Sequence, residues 1–292
     1  ILLGLAGLAL VGYFTAHPGL FTESASLVTG ADRLFPRFVI VGLPGLLLAI
    51  LVAGIREPAR QDLNQSLDAG SAREAFAAAL KYMRNRWQAY SSLTIGLSAN
   101  TIIGYVASWN VVLFQRRWDW KIDDIGLALG LVLLVFGPLG TLLGGAAADR
   151  LARAGHKDSA MRITIGGIIG MVVFSTLYPI ASSPAVVLSF FALTVLGGAA
   201  AAASGAVALV TISANQVRAQ ATALYWIVKN LAGLMLGPVS VGFLTDRVFG
   251  DPNKVGSSMA VTSVVFGAVG IAALVMGLRH YRACVEASDG QQ

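Results

Sequence analysis

Seven stretches of this chain run for 18 residues or more almost without charge, and this constrains the fold more than any other feature. They cover 38–55, 89–114, 125–148, 163–181, 184–212, 217–245 and 258–278, with a further apolar run at 1–15. None of the 15 acidic residues falls inside them. A helix rising about 1.5 Å per residue needs about 20 residues to cross a hydrocarbon layer about 30 Å thick. Helix is also the only open-ended element that satisfies its own backbone there. A soluble fold would have to bury every one of these segments with almost no charged face. Composition agrees: 12% of residues are charged, against about a quarter in soluble domains. The expected fold class is all-α, a polytopic membrane helical bundle.

Lysines and arginines in the connections orient the bundle. One side holds 13 of them: Arg56, Arg60, Arg73, Lys81, Arg84, Arg86, Arg150, Arg153, Lys157, Arg162, Arg218, Arg279 and Arg282. The other holds seven: Arg33, Arg37, Arg116, Arg117, Lys121, Arg247 and Lys254. The richer side is assigned to the cytoplasm of a plasma or bacterial inner membrane, which puts the central loop and the C-terminus there. The net charge of +6 is therefore topology and not a nucleic-acid footprint, since no basic run with interleaved aromatics occurs. Cys284 has no cysteine to pair with, and His17, His156 and His280 lack ligand spacing, so neither metal nor cofactor is expected. Ile1 opens directly on an apolar run without a basic leader, which does not resemble a signal peptide.

Within 71–88, Phe76, Leu80, Met83 and Trp87 recur at helical spacing opposite Arg73, Glu74, Lys81 and Arg84. That predicts an amphipathic helix lying at the membrane surface. Close packing in lipid relies on small residues. Glycines four apart occur at Gly126 and Gly130, Gly140 and Gly144, Gly166 and Gly170, and Gly233 and Gly237, among 33 in all. The stretches GPLGTLLGGAAADR (137–150) and GPVSVGFLTDR (237–247) echo each other in opposite directions across the membrane, as inverted three-helix repeats would. Gly137, Pro138, Gly233, Gly237 and Pro238 are accordingly expected at helix contacts.

The charged stretch GGAAADRLARAGHKDSAMR (144–162) interrupts this apolar pattern. Its Gly145, Asp149, Arg150 and Arg153 resemble the Gly-x-x-x-Asp-Arg cytoplasmic loop of the major facilitator superfamily, in the copy between helices eight and nine. FVIVGLPGLLLAILVAGIREPAR (38–60) and RAQATALYWIVKNLAGLMLGPVSVGFLTD (218–246) are similar to helices six and eleven of the spinster-like branch. The resemblance implies that Asp149 pairs with nearby arginine and a helix N-terminus, a latch on the cytoplasmic gate. It implies a division into 1–55 (the end of the first-half bundle), 56–88 (the central loop with its amphipathic helix), 89–279 (a six-helix second half) and 280–292 (a tail). Residues 1–15 then match the end of helix five, with four helices expected upstream. The branch's Trp-Arg pair before helix six is replaced by Phe35, Pro36 and Arg37.

Lys229 is the one charge well inside a span. A lysine at a helix centre costs about 2.5–3.5 kcal/mol on insertion scales, which makes it a functional candidate. No acidic residue lies within any span to neutralise it. Helical spacing sets Thr222, Tyr225, Trp226, Lys229, Gly233 and Gly237 along one face, and that face is expected to line a cavity, with Asn230 a further candidate. Asn100, Thr101, Tyr105, Trp109 and Asn110 form the other polar cluster within a span. Transporters place their sites near the midplane between repeats, so these residues are the substrate-binding candidates.

The expectation is a secondary active transporter working by alternating access, without chemistry on its cargo. Its partners would be a small amphipathic organic solute, lipid-like or an organic anion, with a proton as candidate coupling ion, and the lipid bilayer. Two alternatives stand beside it. A non-transporting remnant or a partner subunit of a split transporter would fit a chain beginning at Ile1. An integral membrane enzyme would need clustered carboxylates for a metal, or a histidine with an asparagine or aspartate, near the interface, and only Asp123 and Asp124 adjoin.

Overall fold

The computed structural model describes residues 72–215 and 217–289, together with Val52. The run at 1–15, the span 38–55, its GLPG and REP elements, and Phe35 to Arg37 lie outside the described residues. The described helices belong to one compact unit, Leu63–Gln292.

All regular structure among the described residues is helical: α1 (Ala72–Asn85), α2 (Trp87–Val106), α3 (Asn110–Trp118), α4 (Ile122–Arg153), α5 (Ser159–Leu177), α6 (Pro184–Thr211), α7 (Arg218–Phe243) and α8 (Val255–Asp289). A tight turn at Ala107–Trp109 joins α2 to α3, so Trp87–Trp118 is one span. Six candidate spans result, ending with Pro252–Ala287. They coincide with the six uncharged stretches expected after residue 88. The described residues thus form an all-α, multi-pass membrane bundle. α1 is the amphipathic helix expected over 71–88, with Phe76 and Leu80 left exposed.

The spans alternate in direction, giving the bundle two ends. One carries the 154–158 turn and the C-terminal end of α8; the other carries the 119–121 and 250–254 connections. The latter end is built from chain reversals in the left-handed region, at Asp119 (φ 52°) and Gly250 (φ 59°). Glycine accepts that conformation freely, whereas Asp119 does so as a residue type that tolerates it.

Small residues set the contacts between spans. α5 and α6 cross at Gly167 and Gly197, where a β-carbon on either would lie 2.8–2.9 Å from the other's carbonyl oxygen. On α4, Gly140 and Gly144 seat against Leu196 and Ala200 of α6, while on α7 Gly233 and Gly237 seat against Thr101, Ile102 and Tyr105 of α2. Gly126, Gly130, Gly166 and Gly170, by contrast, have open space around them. Gly137 is also open and Pro138 exposed, so that expected contact is absent among the described residues. The pattern of glycines four apart marked surfaces smooth enough for a helix, and only some are occupied.

Two apolar clusters fill the bundle. Tyr90, Leu97, Met161, Ile168, Leu209, Tyr225, Leu274 and Tyr281 pack toward the 154–158 end. Val106, Phe114, Ile125, Tyr178, Phe191, Val241 and Met259 pack toward the other. Between them four of the six spans carry small or polar residues: Asn100 on α2, Thr194 and Gly198 on α6, Lys229 on α7 and Ser263 on α8, all buried. The fold therefore gathers polarity into one belt at mid-bundle.

Candidate functional site

In that belt lies a hollow of 370 Å³. Asn100, Thr101 and Tyr105 of α2 form one wall, with Met171 of α5 and Thr194 and Gly198 of α6 facing them. The hydroxyls of Thr101 and Thr194 donate to carbonyls of their own helices, at Leu97 and Phe190, both at 2.9 Å. That leaves the Asn100 amide oxygen, on a residue 8% exposed, buried without a hydrogen-bond partner. An unmatched buried acceptor costs about 1–3 kcal/mol, and a ligand N–H or O–H entering the hollow would relieve it. A β-carbon on Gly198 would stand 3.0 Å from the Met171 sulfur, a tight contact, and 3.7 Å from the Asn100 amide oxygen, an ordinary one.

The α7 face meets a different fate from the one its spacing suggested. Tyr225, Lys229, Gly233 and Gly237 are buried together, and the two glycines let α2 close onto α7, filling the space a cavity would need. Thr101 and Tyr105 serve both sides, lining the hollow and closing on Gly233 and Gly237. Lys229 itself does not line the hollow. Its ammonium sits 3.7 Å from the Trp226 ring centroid and 5.4 Å from that of Tyr225, with no carboxylate partner among the described residues. Cation–π attraction of this kind reaches about 2 kcal/mol when desolvated. Trp226 is itself 46% exposed, so the cation is roofed by a ring that has one side uncovered.

The remaining expected residues scatter. Asn230 donates to the Trp226 carbonyl at 2.9 Å, a bond within its own helix. Thr222 is half-buried in the first turns of α7. Trp109 donates its indole N–H to the Pro238 carbonyl at 3.1 Å, tying the α2–α3 turn to the proline of α7. Asn110 is fully buried next to Tyr178, in the cluster at the 250–254 end.

At the other end, Asp149 and Arg150 are exposed on the last turns of α4, with Gly145 half-buried. Arg153 donates to the Asp149 backbone carbonyl at 3.3 Å, while the Asp149 carboxylate has no ion pair among the described residues. The carboxylate that is paired among the described residues lies nine residues further on, just before α5. Asp158, whose side chain is 4% exposed, meets Arg162 at 2.8 Å and Arg282 at 2.5 Å. Burial alone would raise its carboxyl, but the two guanidiniums outweigh that and hold it below the usual carboxylate range. Asp158 precedes α5 without capping it, because both its oxygens are taken by arginines. The join to α8 through Arg282 was invisible in sequence; the spacing of Asp158 and Arg162, four apart at a helix start, was the available signal.

No protein-family model matches the sequence, and no curated protein sequence matches it. Solved structures do. The chain is similar to a bacterial homologue of the human lysosomal transporter Spinster in an inward-facing, unoccupied conformation, at 18% identity and a TM-score of 0.56 over 95% of this chain and 64% of that one. The occupied inward-facing structure matches at 18% identity and a TM-score of 0.51, over 94% and 63%. The chain thus spans about 64% of the length of the structure it matches. At this identity the likeness shows the fold alone: the helices are arranged as in part of that structure.

Proposed function

We propose that the chain is the greater part of a secondary transporter that moves a small amphipathic organic solute by alternating access and performs no chemistry on it. The observation that carries this reading is the mid-bundle hollow with the Asn100 amide oxygen unmatched inside it. A hollow at the level where repeats meet is where such proteins hold cargo, and the unmatched acceptor calls for a solute with a hydrogen-bond donor. The spinster structures add support at the level of fold. Lys229 favours an anionic or zwitterionic head, reached when neighbouring helices shift; a proton is the candidate coupling ion. Residues 1–55 then end a first-half bundle, 56–88 form the cytoplasmic central loop, 89–279 form the second half and 280–292 its tail. Asp149 serves the cytoplasmic gate in states where α4 moves.

Proteoliposomes carrying the natural full-length protein test the reading with labelled lysolipids, sphingoid amines and organic anions under an imposed pH gradient. Uptake of at least one class is expected. Asn100→Leu should weaken its apparent affinity about tenfold, the worth of one hydrogen bond of about 1–1.5 kcal/mol, without lowering thermal stability. Unchanged affinity would remove Asn100 from the site, and no uptake of any class would overturn the transporter reading.

A further inference from the structure

At the 250–254 end the bundle holds a second hollow, of 430 Å³, unlike the first in its charge. Arg116, Arg117 and Lys254 border it, together with the first residues of α8, Val255 to Ser257. Among the described residues none of these three cations pairs with a carboxylate. Arg116 instead donates to the Pro252 carbonyl at 2.7 Å, and Arg117 to the carbonyls of Pro179 and Ile180 at 3.1 and 3.5 Å. A guanidinium has five N–H donors, so both arginines are held in place by the backbone with donors to spare. The Lys254 ammonium makes no hydrogen bond among the described residues, resting 5.7 Å from the Phe249 ring centroid.

Three cations of one sign around a single hollow repel one another unless an anion sits among them. The start of the α8 helix adds its positive end to the same place. The hollow joins the ends of three spans, Trp87–Trp118, Ser159–Ile180 and Pro252–Ala287, and so lies at headgroup depth. Trp118 and Trp120, both packed on Phe114, are side chains that favour that layer. Its floor is firm: Gly256 lies so close to the Pro179 carbonyl that a β-carbon there would collide with it.

We propose that this hollow binds a phosphate group, that of an anionic phospholipid headgroup in the leaflet at this end of the bundle. The tethered guanidiniums supply fixed donors and Lys254 the adjustable charge. The lipid bridges the ends of three spans.

Native mass spectrometry of the full-length protein, extracted in mild detergent with added phosphatidylglycerol, tests this. Phosphatidylglycerol is expected to stay bound in preference to phosphatidylcholine. Retention should fall about fivefold for Lys254→Gln, the equivalent of about 1 kcal/mol per basic residue at an anionic surface. It should fall roughly a hundredfold for the triple Arg116→Gln, Arg117→Gln, Lys254→Gln variant on the same scale, while Arg279→Gln leaves it intact. Lys254 has no hydrogen bond to lose among the described residues, so the single variant reads charge. Equal retention by wild type and variants would overturn the proposal. Capture of inorganic phosphate without preference for the lipid would overturn the lipid as its source.

Discussion

Lys229→Met separates function from stability at the most unusual residue of the chain. The buried ammonium carries an insertion cost of about 2.5–3.5 kcal/mol at a helix centre. The Trp226 ring at 3.7 Å offsets about 2 kcal/mol of that if fully desolvated. No acidic partner among the described residues adds to the offset. Methionine matches the lysine stem in length and adapts to irregular gaps, so about 1 kcal/mol of net stabilisation is expected. For a unit of this size that is a rise in Tm of about 2–4 °C, measurable by thermal unfolding in detergent. Uptake of an anionic solute by the same variant should fall at least tenfold, and uptake of a cationic one should not. A drop in Tm of 2 °C or more would mean that an unseen carboxylate pairs with Lys229 and refute the reasoning. Unchanged anion uptake at raised Tm would leave the lysine without a role in transport.

The two aspartates of the charged turn should respond oppositely. Asp158→Asn loses the charge that pairs with both arginines and one of the two acceptor oxygens; because Arg162 and Arg282 are 39% and 44% exposed, the loss should be about 1–3 kcal/mol, below the 3–5 for a fully buried pair. With its folded pKa depressed, Asp158 contributes stability above the unfolded carboxylate value of about 3.9 and loses it as pH falls through the folded value. Wild type should therefore destabilise below about pH 4 more steeply than Asp158→Asn, in thermal scans between pH 3 and 7. Asp149→Asn should change Tm by less than about 0.5 kcal/mol equivalent and slow transport without weakening substrate binding; equal transport rates would count against the gate.

The spans were readable because lipid leaves helix as the only option and because each apolar run matches the bilayer. The hollow was half readable. Asn100 and Tyr105 stood out as polar residues within a span, but Met171, Thr194 and Gly198, which face them, look in sequence like ordinary packing positions. Lys229 was legible as an anomaly and not as a wall of the cavity, since helical periodicity gives the residues sharing a face and not the helix that covers it. The Gly233 and Gly237 pair held the answer, because smooth surfaces invite a neighbour as readily as they leave a gap. Asp158 was overlooked for the opposite reason: a motif nine residues earlier already offered an aspartate, and the join to Arg282 spans 124 residues.

Glycines without a neighbour make the sharpest test of what else this bundle packs against. Gly126 and Gly130 on α4 have open space where a β-carbon would be, whereas Gly144 on the same helix would place one 2.7 Å from the Ala200 α-carbon. Only 11% of the apolar stretch of α4 is buried, against 56% of that in Trp87–Trp118. Exposure by itself is no argument, because lipid solvates leucine as well as a protein core does. Glycine is different: in a helix it costs about 1 kcal/mol relative to alanine, with nothing gained unless another backbone comes close. Gly144→Ala should therefore destabilise by about 1–3 kcal/mol through overpacking. If α4 met only lipid, Gly130→Ala would stabilise the full-length protein by about 1 kcal/mol. If a further helical half closes on this face, as alternating access requires, the same change should destabilise it and reduce uptake. Thermal unfolding of the two variants side by side decides between these outcomes, and a stabilised, fully active Gly130→Ala would leave α4 facing lipid and the rocking halves without their interface.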